Sequence, residues 1–396
     1  MTEAVTDTTP GPAAAHAPAS RWSALWRRLQ FSGWLQFALP FALALGLGLL
    51  ALVLRVFGLG TVGVVVAVLA GLVLGLGLFE VALLKLRLFA LSDRDHRPVP
   101  GDVFAVMAAR RSVRSFQPLA LAPSDLAAVR SLLSQHTSID AAHALVQGEV
   151  RAEFVEQRIT VWPGIGAQSF IVIVVPARYD RMAVIEAGRA LEHVVLGLTA
   201  RGVGTCWIGP GTDRRSAEAA LGSRFDPTRD HVLATIAVGY ESRWKPLLAR
   251  VMRLWGSRRK PLADLVYDSA PGLPAPLHHK ALKPLRPLFD ACRRAPSSYN
   301  GQTTRIILRE DAEGLASVKF CATEGSRFYA PLALGISFAH WEAGMRAIGR
   351  PGQVQLWQPP APMAGGLVHD LTWRPLRGAA TTAGRNGQTP GNGTRS

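Results

Sequence analysis

Cysteine is scarce in this chain. Cys206, Cys292 and Cys321 are its three thiols among 396 residues, far apart and odd in number. No C-x-x-C pair occurs, which argues against a disulfide framework and a cysteine-based zinc site and favours a reducing compartment. His193 and His340 lie on stretches of helical spacing without ligand partners at metal spacing, and the His278-His279 pair reads as solvated, so no metal is expected. No Ser/His/Asp set stands out. Acidic residues are also short, with Asp+Glu 28 against Lys+Arg 44 and a formal net charge of +16. That balance suits nucleic acid, anionic lipid or phosphate-bearing ligands. The basic residues are scattered and no run of them is interleaved with aromatics, so no nucleic-acid partner is expected. A dinucleotide-binding fingerprint is missing too, because Gly202-x-Gly204 precedes a strand-like run instead of opening a helix.

Charge itself is absent from two long stretches, Phe31–Leu54 and Val56–Phe79, separated only by Arg55. Each exceeds the roughly 20 residues that a helix needs to cross a bilayer. Two spans of this length without an obvious small-residue cleavage site argue against a signal peptide. The expectation is a transmembrane hairpin over residues 31–90, turning near Gly58-Leu59-Gly60 and tethering the chain to the lipid bilayer. Gly71-x-x-x-Gly75 permits close helix packing, and Trp22, Trp26 and Trp34 fit an interfacial belt. Arg21, Arg27 and Arg28 precede the hairpin, and Lys85 and Arg87 follow it. The positive-inside bias then predicts an inner-membrane location with both termini and the soluble part cytoplasmic. Residues 1–30 and 376–396 are expected to be disordered tails.

Between these ends, helices are expected near 103–107, capped by Asp102, and over Leu121–Leu133, Met182–Ala200, Leu285–Arg293 and Ala333–Ile348. Apolar strands are expected at Ser169–Val175, 204–209, Val232–Gly239 and Arg305–Leu308. Residues 136–160 show no clear period. Ala270–Pro287 is Pro-rich and reads as a linker between residues 91–269 and 288–375.

Three clusters carry chemistry. Arg110-Arg111-Ser112-Val113-Arg114-Ser115 places three guanidiniums and two hydroxyls within six residues, where a helix gives way to extended chain. If extended, it turns Arg110, Ser112 and Arg114 to one side, a set suited to a phosphate and a nearby electron-rich ring. A solvated basic turn beside a membrane is the competing reading. Gly204-Thr205-Cys206-Trp207-Ile208-Gly209-Pro210 is a glycine-bracketed strand whose backbone suits the approach of a flat ligand, or an ordinary strand. Ala295-Pro296-Ser297-Ser298-Tyr299-Asn300-Gly301-Gln302 is a turn rich in hydrogen-bonding groups. Glu192 on the buried helix is expected to pair with Arg189 or with a residue of the cationic cluster.

Together these clusters resemble the FMN-dependent nitroreductase family, in the branch where one chain carries both halves of the usual dimer. The resemblance implies an α+β fold, a nitroreductase-like three-layer α/β/α sandwich with a mixed, mostly antiparallel sheet, behind the hairpin. It implies a pseudo-dimer with one FMN site per chain, possibly acting as a monomer. Matched to the family's motifs, Arg110 and Ser112 would hold the FMN phosphate and ribityl end, with Arg111 in the same cluster. Arg114 would sit near the pyrimidine edge, and the backbone at Ile208-Gly209, beside Trp207, would face the reactive edge of the ring. Pro296, Ser297, Ser298 and Asn300 would close the site from the second half. Arg258, Arg259 or Lys260 would add a phosphate contact. No side chain is then needed as a catalyst, since the flavin carries the chemistry from NAD(P)H to a small-molecule acceptor, aromatic or quinone-like. The family's Gln-Pro-Trp is here Gln302-Thr303-Thr304. That departure leaves a non-catalytic FMN-storing protein as the alternative.

Overall fold

The computed structural model describes residues 28–376, apart from 90, 91, 94, 139–143, 281, 313 and 324. Arg21, Trp22, Trp26, Arg27 and the tail beyond residue 376 lie outside the described residues. The chain begins with two antiparallel helices, α1 (Ala38–Val56) and α2 (Gly60–Glu80), joined by a tight turn. With their flanking turns they form segments of 22 and 26 residues, long and apolar enough to cross a membrane by length and composition. Most of their leucine and valine side chains face outward. The two helices touch at Gly63, against Arg55 and Ala51, and at Gly77, against Pro40 and Phe41. Gly71 and Gly75 have open space around them, so that motif does not form the contact inside this hairpin.

The remaining chain builds two sheets. Strands β1 (Arg151–Val155), β2 (Ser169–Pro176), β3 (Gly204–Ile208) and β4 (Asp230–Gly239) make an antiparallel sheet in the order β1-β2-β4-β3. Strands β5 (Val266–Asp268), β6 (Thr304–Asp311), β7 (Gly314–Thr323), β8 (Gly352–Met363) and β9 (Leu367–Pro375) form the second, in the order β5-β6-β7-β9-β8. Only its β5–β6 pair is parallel. The helices are α3 (Val103–Ala109), α4 (Pro123–Thr137), α5 (Arg181–Ala200), α6 (Arg214–Leu221), α7 (Leu247–Gly256), α8 (Arg286–Arg294) and α9 (Tyr329–Ala347).

Local chemistry fixes several ends. The Asp102 carboxylate accepts from the Ala105 amide at 3.0 Å and starts α3. Asp180 accepts from the amides of Met182 and Ala183 and starts α5. Strand β2 is buried along almost its whole length, as its unbroken apolar run predicts.

Helices α5 and α9 lie between the sheets and belong to both cores. Ile171, Ile173 and Ile236 of the first sheet pack on Val184, Leu191 and Val195 of α5 and on Ile336 of α9. Ile306, Val318, Phe320 and Leu371 of the second sheet pack on Leu334, Phe338 and Trp341 of α9 and on Ile185 of α5. Their crossing is reciprocal. A Cβ on Gly188 of α5 would stand 2.2 Å from the Leu332 carbonyl of α9, and one on Gly335 of α9 would stand 1.9 Å from the Ile185 carbonyl of α5. Each helix thus needs a missing side chain where the other's backbone passes.

The sequence pattern does not reveal β1, α6, α7, β5, β7, β8 or β9. The Pro-rich segment 270–287 is packed, not free: Leu277, Leu282 and Leu285 are buried in the second core.

Candidate functional site

A cavity of about 340 Å³ lies between the two halves. Its cationic wall follows from where α3 ends. Arg110 leaves the helix with φ −57° and ψ 126°, and the Val113 amide donates to the Thr205 carbonyl of β3 at 2.8 Å. The stretch therefore runs extended beside β3. Arg110, Ser112 and Arg114 line the cavity, while Val113 is buried on the other side. Arg111 turns away from the cavity and pairs with Glu241, which Lys245 also contacts. Arg111 therefore lies outside the cavity lining, because alternation sends it to the opposite face.

The end of β3 supplies Trp207, Ile208 and Gly209. Gly209 faces Tyr329 so closely that a Cβ would meet the ring at 2.5 Å, so only glycine leaves this backbone open. From the second half come Pro296, Ser297, Ser298, Tyr299 and Asn300, with Tyr329 and Leu332 of α9. Tyr299, Asn300 and Gln302 all adopt left-handed backbone, at φ 50°, 56° and 48°. Such conformations cost energy in non-glycine residues and persist where neighbours hold them. Here the holding is explicit. Asn300 Nδ2 donates to the Arg258 carbonyl at 2.6 Å, Gln302 Oε1 accepts from the Lys260 amide at 2.8 Å, and the Gln302 amide donates to Ser297 Oγ at 2.9 Å.

Among Arg258, Arg259 and Lys260, only Arg259 lines the cavity. Arg258 and Lys260 present backbone groups that clamp the turn. The Arg259 guanidinium donates to Asn300 Oδ1 and, at 3.2 Å, to the Arg294 carbonyl. Burial, together with Arg110, Arg293 and Arg294 nearby, pulls its pKa down to about 10. It stays cationic at neutral pH, but in a crowded field.

Glu192 sits beneath this wall, fully buried. It accepts from Trp207 Nε1 at 2.8 Å and lies 3.0 Å from His340 Nε2 of α9 and 3.8 Å from Arg110 Nε. Its cationic neighbour is therefore Arg110. Arg189 is taken by Glu186 and Glu342 instead. Burial lowers the Arg110 pKa, and Glu192 opposes that shift. Arg110 Nε is buried with no hydrogen-bond partner. Burial pushes the Cys206 thiol up, so a reactive thiolate is not favoured there.

Sequence reasoning missed Trp162, Pro163, Met252 and Tyr329, which also line the cavity. Trp162 and Pro163 lie in a loop, and no local pattern links them to β3.

Residues 102–345 match the family model described as "Putative TM nitroreductase", more than half of the chain. The chain belongs to this nitroreductase family. Solved structures similar to this nitroreductase-family chain include a nitroreductase from Thermotoga maritima, at 18% identity, covering 72% of this chain and 96% of that chain with TM-score 0.41. A nitroreductase with bound FMN from Bacteroides fragilis shows 17% identity, covering 36% of this chain and 90% of that chain, TM-score 0.29. An FMN-dependent nitroreductase from Mycobacterium smegmatis, in complex with NADPH, shows 16% identity, covering 34% of this chain and 86% of that chain, TM-score 0.27. No curated protein matches the sequence.

Proposed function

We propose that this nitroreductase-family chain is a membrane-anchored, FMN-dependent oxidoreductase that passes hydride from NAD(P)H to an aromatic or quinone-like acceptor. The observation that carries the reading is convergence. Arg110, Ser112, Arg114 and Arg259, with the turn at 296–300, meet on one cavity although up to 190 positions separate Arg110 from Asn300.

The residues present fit FMN. The cavity volume lies within the range of roughly 300–1,000 Å³ usual for small-molecule sites. One part is cationic, lined by Arg110, Arg114 and Arg259, as a phosphate requires. The other part is flat and apolar, formed by Trp162, Ile208, Tyr329 and Leu332, as a ring requires. FMN, when bound, supplies the two-electron chemistry. Arg110, Ser112 and Arg259 bind its phosphate end. Arg114 provides positive charge for the ring, stabilising negative charge that grows on reduction. Glu192 orients Arg110 and Trp207. The 296–300 turn and Tyr329 exclude water from the cavity.

The hairpin supports the membrane assignment, with the soluble part cytoplasmic by the flanking cations. The reciprocal packing of Gly188 and Gly335 supports a pseudo-dimer within one chain. The test uses full-length protein purified in detergent. Visible flavin absorbance that bleaches on adding NADH or NADPH, and returns with a quinone, supports the oxidoreductase. Yellow protein that never bleaches would turn the assignment to FMN storage. Protein that stays colourless after reconstitution with FMN would overturn both.

A further inference from the structure

A second recess, of about 590 Å³, adjoins the flavin cavity and shares Arg110, Ser112, Arg114 and Arg259 with it. The cations it adds are Arg111, Lys245, Arg253, Arg293 and Arg294. Among the described residues Glu241 is the single carboxylate lining it, and Arg111 and Lys245 already share that group. Arg114, Arg253 and Arg294 have no carboxylate partner among the described residues. Arg293 pairs with Asp290 through Nη2, while its Nε is buried without a partner. One FMN phosphate, met by Arg110, Ser112 and Arg259, does not balance this many cations.

The recess is also placed at the foot of the hairpin. Its outer wall is α7, which carries Ala249, Arg253 and Gly256 into the lining. The same helix packs against the foot of α1 and the turn at Leu35–Phe37. The Leu247 amide just at its start donates to Glu80 Oε1, at the end of α2, at 2.8 Å. One helix diameter, about 10 Å, thus separates the recess from the end of the apolar hairpin. Leu254, beside Arg253, is 68% exposed. An exposed leucine next to an unpaired arginine is the arrangement of a helix lying in a lipid interface.

We propose that this recess binds the phosphate of an acidic membrane phospholipid, beside the FMN phosphate. The assignment rests on reading the hairpin as a membrane anchor. Arg253 and Arg294 hold the headgroup phosphate, and Leu254 stays with the acyl region. The occupied recess neutralises the cations that crowd Arg259, and ties the flavin domain down against the bilayer surface.

The experiment is native mass spectrometry of the full-length protein in mixed micelles of phosphatidylglycerol and phosphatidylcholine. Retention of phosphatidylglycerol over phosphatidylcholine is expected. It falls on the order of tenfold or more in the double variant Arg253→Gln/Arg294→Gln, since each cation near a lipid surface contributes appreciably. Arg130→Gln, an exposed cation on α4 outside the recess, leaves the preference unchanged. If the double variant does not fold, Arg253→Gln alone is expected to reduce the preference by a few-fold. Equal retention of the two lipids overturns the proposal. So does an unchanged preference in the recess variant that folds, or an equal loss in Arg130→Gln. Displacement of the lipid by millimolar inorganic phosphate would make this a free-phosphate site and overturn the lipid assignment. FMN is counted in the same spectra by its own mass, so missing flavin sinks the oxidoreductase reading without touching the lipid result.

Discussion

The four-stranded and the five-stranded sheet each pack on a long helix, yet the two halves they define finish differently. In the first half β3 ends at Ile208, just before Gly209 and beside three cavity-lining side chains of the 110–114 stretch, and leaves an open cavity. In the second half the core around α9 is filled by Phe289, Phe320, Phe338, Trp341 and Trp373, packed largely edge to face. The first half is built to hold a charged ligand. The second is a closed aromatic buttress that lends one strained turn and the start of one helix. Two sheet-and-helix halves can thus line one cavity, with the second half contributing to it across the seam.

The contrast can be broken from either side. Arg110→Ala removes a buried cation and leaves Glu192 without it. FMN affinity is expected to fall by about 3 kcal/mol, roughly a hundredfold or more in Kd, as for other truncations of buried charge pairs. A flavin titration followed by fluorescence measures it, with circular dichroism to show that the fold survives. Gly335→Val attacks the seam. Its Cβ has the Ile185 backbone in the way, which cannot rotate aside. A stability loss of about 3 kcal/mol is expected by chemical denaturation.

A smaller effect separates the lent turn from the rest. Asn300→Ala removes the bonds to Arg259 and to the Arg258 carbonyl. FMN affinity should weaken by about 1 kcal/mol, roughly fivefold, with little change in stability. No weakening at all would show that the turn closes no part of the site.

A pH dependence is also expected, outside the cavity. Burial, reinforced by His193, Arg189 and Arg346, lowers the His136 pKa to about 4, and burial, with Lys319, lowers that of His369 to about 4. Both pKa values are depressed in the folded state, so the unfolded chain takes up protons first. Their contribution is fully present above the unfolded value of about 6.5 and is lost as pH falls toward about 4. Thermal melts across that window should show Tm falling with pH, and His136→Gln should flatten part of the slope.

The site was legible where its chemistry is contiguous in sequence. The 110–114 stretch, the 204–209 strand and the 296–302 turn each announce themselves by composition, and extended geometry sorts Arg110, Ser112 and Arg114 from Arg111. Arg259 was not separable from its neighbours, because the choice depends on how the Asn300 turn docks. Glu192 was readable as the partner of Arg189 or of the cationic cluster, and Arg110 takes that place; its contacts with Trp207 and His340 were not readable, since those come from other elements. Strand β9 hid for a related reason. Its Asp370 breaks the apolar pattern, and only the fold shows that Arg181 satisfies it, at 2.9 Å. Strand β8, with Pro359, Pro360 and Pro362, reads as loop and survives because it is an edge.

The flavin content of purified, FMN-saturated protein tests the central claim most directly. Absorbance of the washed protein, set against its concentration, should give one FMN per chain, and almost none after Arg110→Ala. Two flavins per chain, or an unchanged ratio in that variant, would contradict a single site shared across the seam.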